Sequence, residues 1–528
     1  MLGRDFHLPG RSAVLAANGL CATSHPLAAK VAVEMLERGG NAVDAAIAAA
    51  ALLGICEPGS TGLGGDMFAL VQPGPGQPIF GLNASGRAPA ALSAEKLRAA
   101  GHAVMPVFDV AAITVPGAVD GFCQLSADHG RLGLPAVLAP AIRYAEDGVP
   151  VAPRVAADWE EAVHLQGDAR LFYLLDGSAP AAGDLFRAPG QAEVLKRVAA
   201  EGRAGFYEGE VAEDMVASLR ALGGVHTLED FAATACDYVE PVSGEYRGWE
   251  LLELPPNGQG ATAILMAKIL GHFDLAALEP FGAERTHLEA EAAKLAYDAR
   301  DRFIADPSRV AVRLAHMLAD ETAEALARRI DPARAMAAPA KLSEAVHRET
   351  VYLTVVDRER MAVSLIYSIY HGFGSGLASA RFGINFQNRG AGFTLEPGHP
   401  NEAAGDKRPM HTIIPAMLLR EGELVMPFGV MGGAYQPAGH VRVMTNMIDW
   451  GMHPQAALDG PRSFPDEEGL RLERGYGETV RAELEAMGHQ VVTPERPLGG
   501  GQVILIDRER GVLIGGSDPR KDGCALGY

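Results

Sequence analysis

A threonine at the head of a short apolar run constrains this chain more than any other feature. Residues Val351–Val356 (VYLTVV) are β-branched and apolar, the composition of a buried strand. Asp357-Arg358-Glu359-Arg360 is a polar break, and Met361–Tyr370 (MAVSLIYSIY) is a second apolar run. Two such runs with a short polar break read as a β-hairpin. If Asp357 pairs with Met361 across a three-residue loop, antiparallel register keeps the sum of paired residue numbers constant. Thr350 then lies opposite Ser368, and directly opposed side chains share a face of the sheet and nearly touch. Two hydroxyls therefore meet at the open end of the hairpin.

Upstream, Asp331–Ala340 (DPARAMAAPA) and the KLSEAVHRE that follows are small, polar and broken by proline. A segment of this kind ending in a threonine at the start of a core strand is what a chain that cuts itself at Glu349–Thr350 would carry. Cleavage would give Thr350 a free α-amine with a pKa near ~8, able to act as base for its own hydroxyl near neutral pH. The plainer reading is an ordinary strand threonine.

Composition narrows the class. Hydrophobic residues make up 48% of the chain and charged residues 21%, as in a globular protein. The formal charge of −20 argues against a nucleic-acid partner, and any anionic substrate needs a local arginine against that field. The cysteines (Cys21, Cys56, Cys123, Cys236, Cys524) are far apart and odd in number, with no zinc-ligand spacing. Cys21 and Cys56 read as core. MLGRDFHLPGRS lacks an apolar secretory core, and the longest apolar run, Ala45–Cys56, is too short for a bilayer. A cytoplasmic location and no membrane partner are the expectations.

Along the chain, residues 13–24 read as a strand, a glycine turn and a strand or loop. His25-Pro26 opens a helix running to Leu36, and Ala42–Ile55 is a helix apolar almost all round, hence buried. Gly62–Gly65 lacks the lysine and spacing of a phosphate loop, so close packing of helix on sheet is the better account of its glycines. Cys236–Leu254 reads as β ribbon, His287–Phe303 as an amphipathic helix, and Ile384–Phe393 as a strand ending in a turn.

The stretch Thr350-VYLTVVD with Phe373-Gly374-Ser375-Gly376 resembles the γ-glutamyltransferase family of N-terminal-nucleophile hydrolases. So do GGNAVDAAIAAAL…EPGSTGLGGDMF near the N-terminus and LAPAIRYAEDG at 138–148. Pro255-Pro256-Asn257-Gly258-Gln259-Gly260, Ala456–Arg462 and the closing GGSDPR…GY resemble it as well. The resemblance covers nearly the whole chain. It implies an α/β (α+β) unit, a four-layer αββα sandwich of two mainly antiparallel sheets between helices. It also implies a precursor cut into a large segment, 1–349, and a small segment, 350–528, which stay together as a heterodimer in one fold. Whether two such heterodimers pair is left open.

The resemblance also assigns roles. Thr350 would be the nucleophile, Ser368 would orient it, and the N–H groups of Gly432 and Gly433 would hold the oxyanion. Neither metal nor cofactor is implied. Arg87, just before Ala88-Pro89, is the nearest match to an arginine that holds a substrate carboxylate; the alternative is an arginine that braces its loop. Where relatives hold an α-amino group with asparagine, glutamine and aspartate, this chain has Tyr370, Arg389 and Gly392. An ammonium needs acceptors and arginine has none, so Arg389 suits a carboxylate instead, unless it is merely a surface residue on a turn. The usual serine pair is replaced by His411-Thr412, with His411 either binding substrate or serving as a satisfied pocket wall. The connection Leu395–Lys407 is shorter than in lidded relatives, which implies a more open site. The leading expectation is an amidohydrolase of a small carboxylate-bearing amide, oxamate-like or of the acylase type. The alternatives are γ-glutamyl transfer or hydrolysis on glutathione-like donors, and an uncut binding protein.

Overall fold

The computed structural model describes Arg4, His7, residues 10–336 and residues 350–528. Two seven-stranded sheets form the centre. One runs in the order Cys524–Gly527, Leu20–Thr23, Val351–Val356, Ala362–Ser368, Asp66–Gln72, Phe80–Ala84, Asp237–Val239. The other runs Val14–Ala16, Val512–Ser517, Gly500–Asp507, Glu423–Met431, Ala416–Arg420, Trp249–Glu253, Val242–Tyr246. Every pairing within both is antiparallel.

Strand alternation decides which side chain enters which layer. Tyr352, Val356, Ala362 and Ile366 point between the sheets, where they meet Met417, Leu424, Met431 and Ile504 of the other sheet. Val351, Leu353, Val355 and Leu365 point outward onto a layer that includes helices Pro26–Glu37 and Ala42–Cys56. On the far side, Leu251, Leu418, Met426 and Phe428 carry helices Gly260–Leu270, Ala283–Phe303 and Gln436–Ile448. The result is the expected αββα sandwich. All six residues of Val351–Val356 are buried, and each large apolar side chain so buried contributes about 2 kcal/mol.

The hairpin forms in the expected register. Val351 pairs with Tyr367 and Val356 with Ala362, and the Asp357 N–H donates to the Met361 carbonyl at 3.1 Å. Arg360, last of the three loop residues, takes a positive φ of 66°, as the third residue of such loops does. Asp357 also accepts the Ala42 N–H at 3.0 Å, so one carboxylate joins the hairpin loop to the first turn of the buried helix.

Three expectations need correction. The ribbon at 236–254 divides: Asp237–Val239 joins Phe80–Ala84 in one sheet, whereas the next two strands belong to the other. Residues 384–388 are extended without forming a strand, because their N–H groups go to loop carbonyls such as Leu377 and Gly64, and Arg389–Gly392 is a 3-10 turn. Helix Ala283–Phe303 is buried on most of its circumference, since on what sequence reads as its polar face Glu289 pairs with both Arg285 of the same helix and Arg442 of helix Gln436–Ile448. Among the described residues no helix is long and apolar enough to cross a membrane.

Candidate active site

Three neighbouring strands bring three polar side chains into one row. The hairpin register, extended one residue, sets Thr350 against Ser368, and the Thr350 hydroxyl donates to Ser368 Oγ at 3.3 Å. Ser368 pairs on its other side with Asp66. All three are fully buried and share the face between the sheets. Gly65 allows this approach: a Cβ there would stand 2.5 Å from the Ser368 carbonyl oxygen, so backbone rather than helix packing demands glycine at this position.

Ser368 Oγ collects further donors, the Tyr370 N–H at 3.0 Å and Arg389 Nη2 at 3.1 Å. Tyr370 has a φ of 82°, a conformation costly for a large side chain. In it, the tyrosine turns its N–H back to Ser368 while its ring lies under the Arg389 guanidinium, 4.1 Å from ring centroid to Cζ. Arg389 is therefore not a surface residue: it is fully buried, and its Nη1 donates to Thr412 Oγ1 at 2.9 Å.

Gln259 continues the chain of contacts. Its side-chain amide donates to the carbonyl of Thr412 at 2.7 Å and to that of Gly433 at 3.0 Å. Gly432 and Gly433 follow strand Glu423–Met431 with φ values of 126° and 56°, a turn that favours glycine. That strand lies over Tyr352, two residues from Thr350: a Cβ on Gly429 would meet the Tyr352 ring at 2.4 Å.

Asp66 was not singled out from sequence. Its Oδ1 accepts the Gly86 N–H at 2.9 Å, the Gly117 N–H at 3.1 Å and Gln387 Nε2 at 2.9 Å, and its Oδ2 faces His411 Nε2 at 3.0 Å. His411 thus has the carboxylate partner that sequence does not reveal. Its Nδ1 accepts the Ile413 N–H at 3.3 Å, which leaves Nε2 to donate to Asp66. Burial, and then the nearby Arg389 charge, push the His411 pKa down to about 3. With both nitrogens engaged and the ring neutral, His411 braces the wall beneath the row. Gln259 was also missed, although it stands in the PPNGQG turn. No local signal could have found it, since its partners lie over 150 residues away.

Arg87 stands elsewhere. Its Nη1 donates to Asp306 at 2.9 Å, Ser308 at 3.2 Å and the Asp406 carbonyl at 3.2 Å, the bracing arrangement that sequence offered as the alternative. It borders a separate cavity of about 230 Å³ with Asp230, Glu229 and Thr234. The connection Leu395–Lys407 docks on the segment around Ala88–Arg98 through Arg98–Glu402 and an apolar cluster of Ala88, Ala94, Phe393 and Leu395. Glu349 lies outside the described residues.

A four-layer sandwich of two antiparallel sheets, arranged in this way, is the fold of the N-terminal-nucleophile hydrolases, and the chain is an enzyme of that class. It belongs to the gamma-glutamyltranspeptidase family, whose profile it matches over residues 28–528. It is 35% identical to the glutathione hydrolase-like YwrD proenzyme of Bacillus subtilis, over 97% of this chain and 99% of that one. It is 34% identical to the oxamate amidohydrolase proenzyme of Klebsiella pneumoniae, over 98% and 100%. A crystal structure of cephalosporin acylase from Bacillus halodurans superposes with a TM-score of 0.91 at 38% identity, covering 100% of this chain and 99% of that chain.

Proposed function

We infer that the chain is a self-processing amidohydrolase with Thr350 as nucleophile, acting on a short amide that carries a carboxylate close to the scissile carbonyl. One observation carries the choice of substrate. The buried Arg389 guanidinium is joined to the Thr350 hydroxyl through Ser368, by two hydrogen bonds of 3.1 and 3.3 Å. A planar guanidinium grips a carboxylate with directed bonds. An anchor so near the nucleophile suits an acyl group with no more than a short spacer, as in oxamate, which the Klebsiella relative is named for.

In the first use of the nucleophile, Thr350 Oγ attacks the Glu349 carbonyl and the peptide nitrogen leaves as the Thr350 amine. Water then opens the resulting ester. In the second, that amine takes the Thr350 hydroxyl proton, directly or through a water, as the oxygen attacks the substrate amide. N–H groups of Gly432 and Gly433 steady the oxyanion, each such donor contributing about 3 kcal/mol in the transition state. The proton passes to the departing amine, and water or an amine acceptor releases the acyl group. Ser368 orients the threonine, and Arg389, with Thr412 and Tyr370 supporting it, receives the carboxylate. That the relatives are named proenzymes supports the processing step.

Hydrolysis or transfer of γ-glutamyl groups is the second reading, supported by the Bacillus relative's name. The cation at Arg389 opposes it, since an α-ammonium would sit against a guanidinium. The test is a gel and a substrate panel on matured protein. Two bands for the wild type and one for Thr350→Ala are expected, with ammonia released from oxamate and little release from a γ-glutamyl anilide. One uncut band in active protein would overturn the processing step, and efficient anilide turnover without oxamate turnover would overturn the substrate.

A further inference from the structure

Helix Ala283–Phe303 carries His287 and Glu291 one turn apart, on the same face. Both are buried, and His489, from the loop that follows helix Glu478–Ala486, closes on them. One ligand atom from each of the three, two imidazole nitrogens and a carboxylate oxygen, lies within 4.8 Å of the others. Acyl transfer has no use for this group.

We propose that His287, Glu291 and His489 hold one divalent transition-metal ion of the zinc and cobalt type. Two imidazoles and a carboxylate are a donor set for such ions, with water free to complete the coordination. His287 is already oriented, and His489 Nε2, which donates to His287 Nδ1 in the empty cluster, gives up that proton when the ion binds. His287 Nε2 donates to the Asp331 carbonyl at 2.8 Å, which fixes the tautomer and aims the Nδ1 lone pair into the cluster, as an outer partner does for a ligating histidine. His287 Nδ1 and His489 Nε2 stand 2.8 Å apart. Opening that gap by roughly 0.5 Å gives the spacing of two nitrogens on one tetrahedral ion. Glu291 Oε2 accepts the Met336 N–H at 2.8 Å and Oε1 the Lys294 ammonium at 2.7 Å, so each oxygen retains a lone pair. Lys294 is the charge the ion must displace. It already donates to the Met336 carbonyl at 3.0 Å and can turn toward it. An ion there would tie together the helix, the His489 loop and the segment from Asp331 to Met336.

The test uses tag-free full-length protein, treated with chelator and desalted, then titrated with Co²⁺ alone and Zn²⁺ alone. One equivalent should bind, with a visible cobalt absorption band. His287→Ala and His489→Ala should each weaken binding at least about tenfold, and His102→Ala, an exposed imidazole elsewhere, should leave it unchanged. Should either variant fail to fold, anomalous scattering from a cobalt-soaked wild-type crystal decides, with a peak expected among these three side chains. No saturable uptake, uptake that survives both variants, or a peak elsewhere overturns the site.

Discussion

Arg389 Nη2 donates to Ser368 Oγ at 3.1 Å while its Cζ stands 4.1 Å over the Tyr370 ring centroid, so a fixed cation stands behind the hydroxyl that faces Thr350. A lysine offers neither the fork nor the stacking face. Arg389→Lys should lower kcat/KM for a carboxylate-bearing amide by about 10- to 100-fold, the equivalent of a charged hydrogen bond of about 1.5–3 kcal/mol. Paired assays on an acid and its neutral amide analogue check this: the analogue should lose far less.

Under the proposed mechanism, Thr350→Ser retains a hydroxyl and an α-amine after cleavage, whereas Thr350→Ala removes the nucleophile for both processing and turnover. We expect the serine variant to process and turn over at a reduced rate and the alanine variant to stay intact and inactive. Intact mass measured over time separates the two.

Asp66 Oδ1 takes three N–H donors and Oδ2 faces His411. Asp66→Asn would set an amide N–H₂ against some of those donors and leave buried groups unpaired, at a cost of about 1–3 kcal/mol. Urea unfolding should show a midpoint shift of that size with an unchanged slope.

His411 has a pKa lowered from 6.5 to about 3, chiefly by burial. Above pH ~6.5 neither the folded nor the unfolded chain binds a proton at this site. Below it the unfolded chain takes up a proton that the fold refuses, so stability falls with pH until the folded pKa is reached. The loss approaches about 1.4 kcal/mol per pH unit from this one group. His411→Gln, whose amide can still donate to Asp66, should lose that slope. The difference in unfolding free energy between wild type and variant, followed from pH 7 to pH 4, gives the measurement.

Gly65→Ala places a methyl carbon against the Ser368 carbonyl, a backbone atom that cannot turn aside. Loss of stability by about 1–3 kcal/mol is expected, with a matching loss of activity, read from thermal unfolding and substrate release.

The sequence by itself determined the hairpin, its register and the meeting of Thr350 with Ser368, because a short polar loop and a side-chain period of two leave little freedom. It determined the buried helix expected over Ala42–Ile55 for the same kind of reason, a run of apolar residues with no polar face. Tertiary structure alone decided that Arg389 turns inward over Tyr370, that Arg87 is spent on Asp306, and that Asp66 is the carboxylate beside His411. It likewise joined Gln259 to Gly433 and His287 to His489. Those contacts link segments far apart in the chain, and where a loop side chain finds its partner depends on how the layers pack, which no local pattern of residues records.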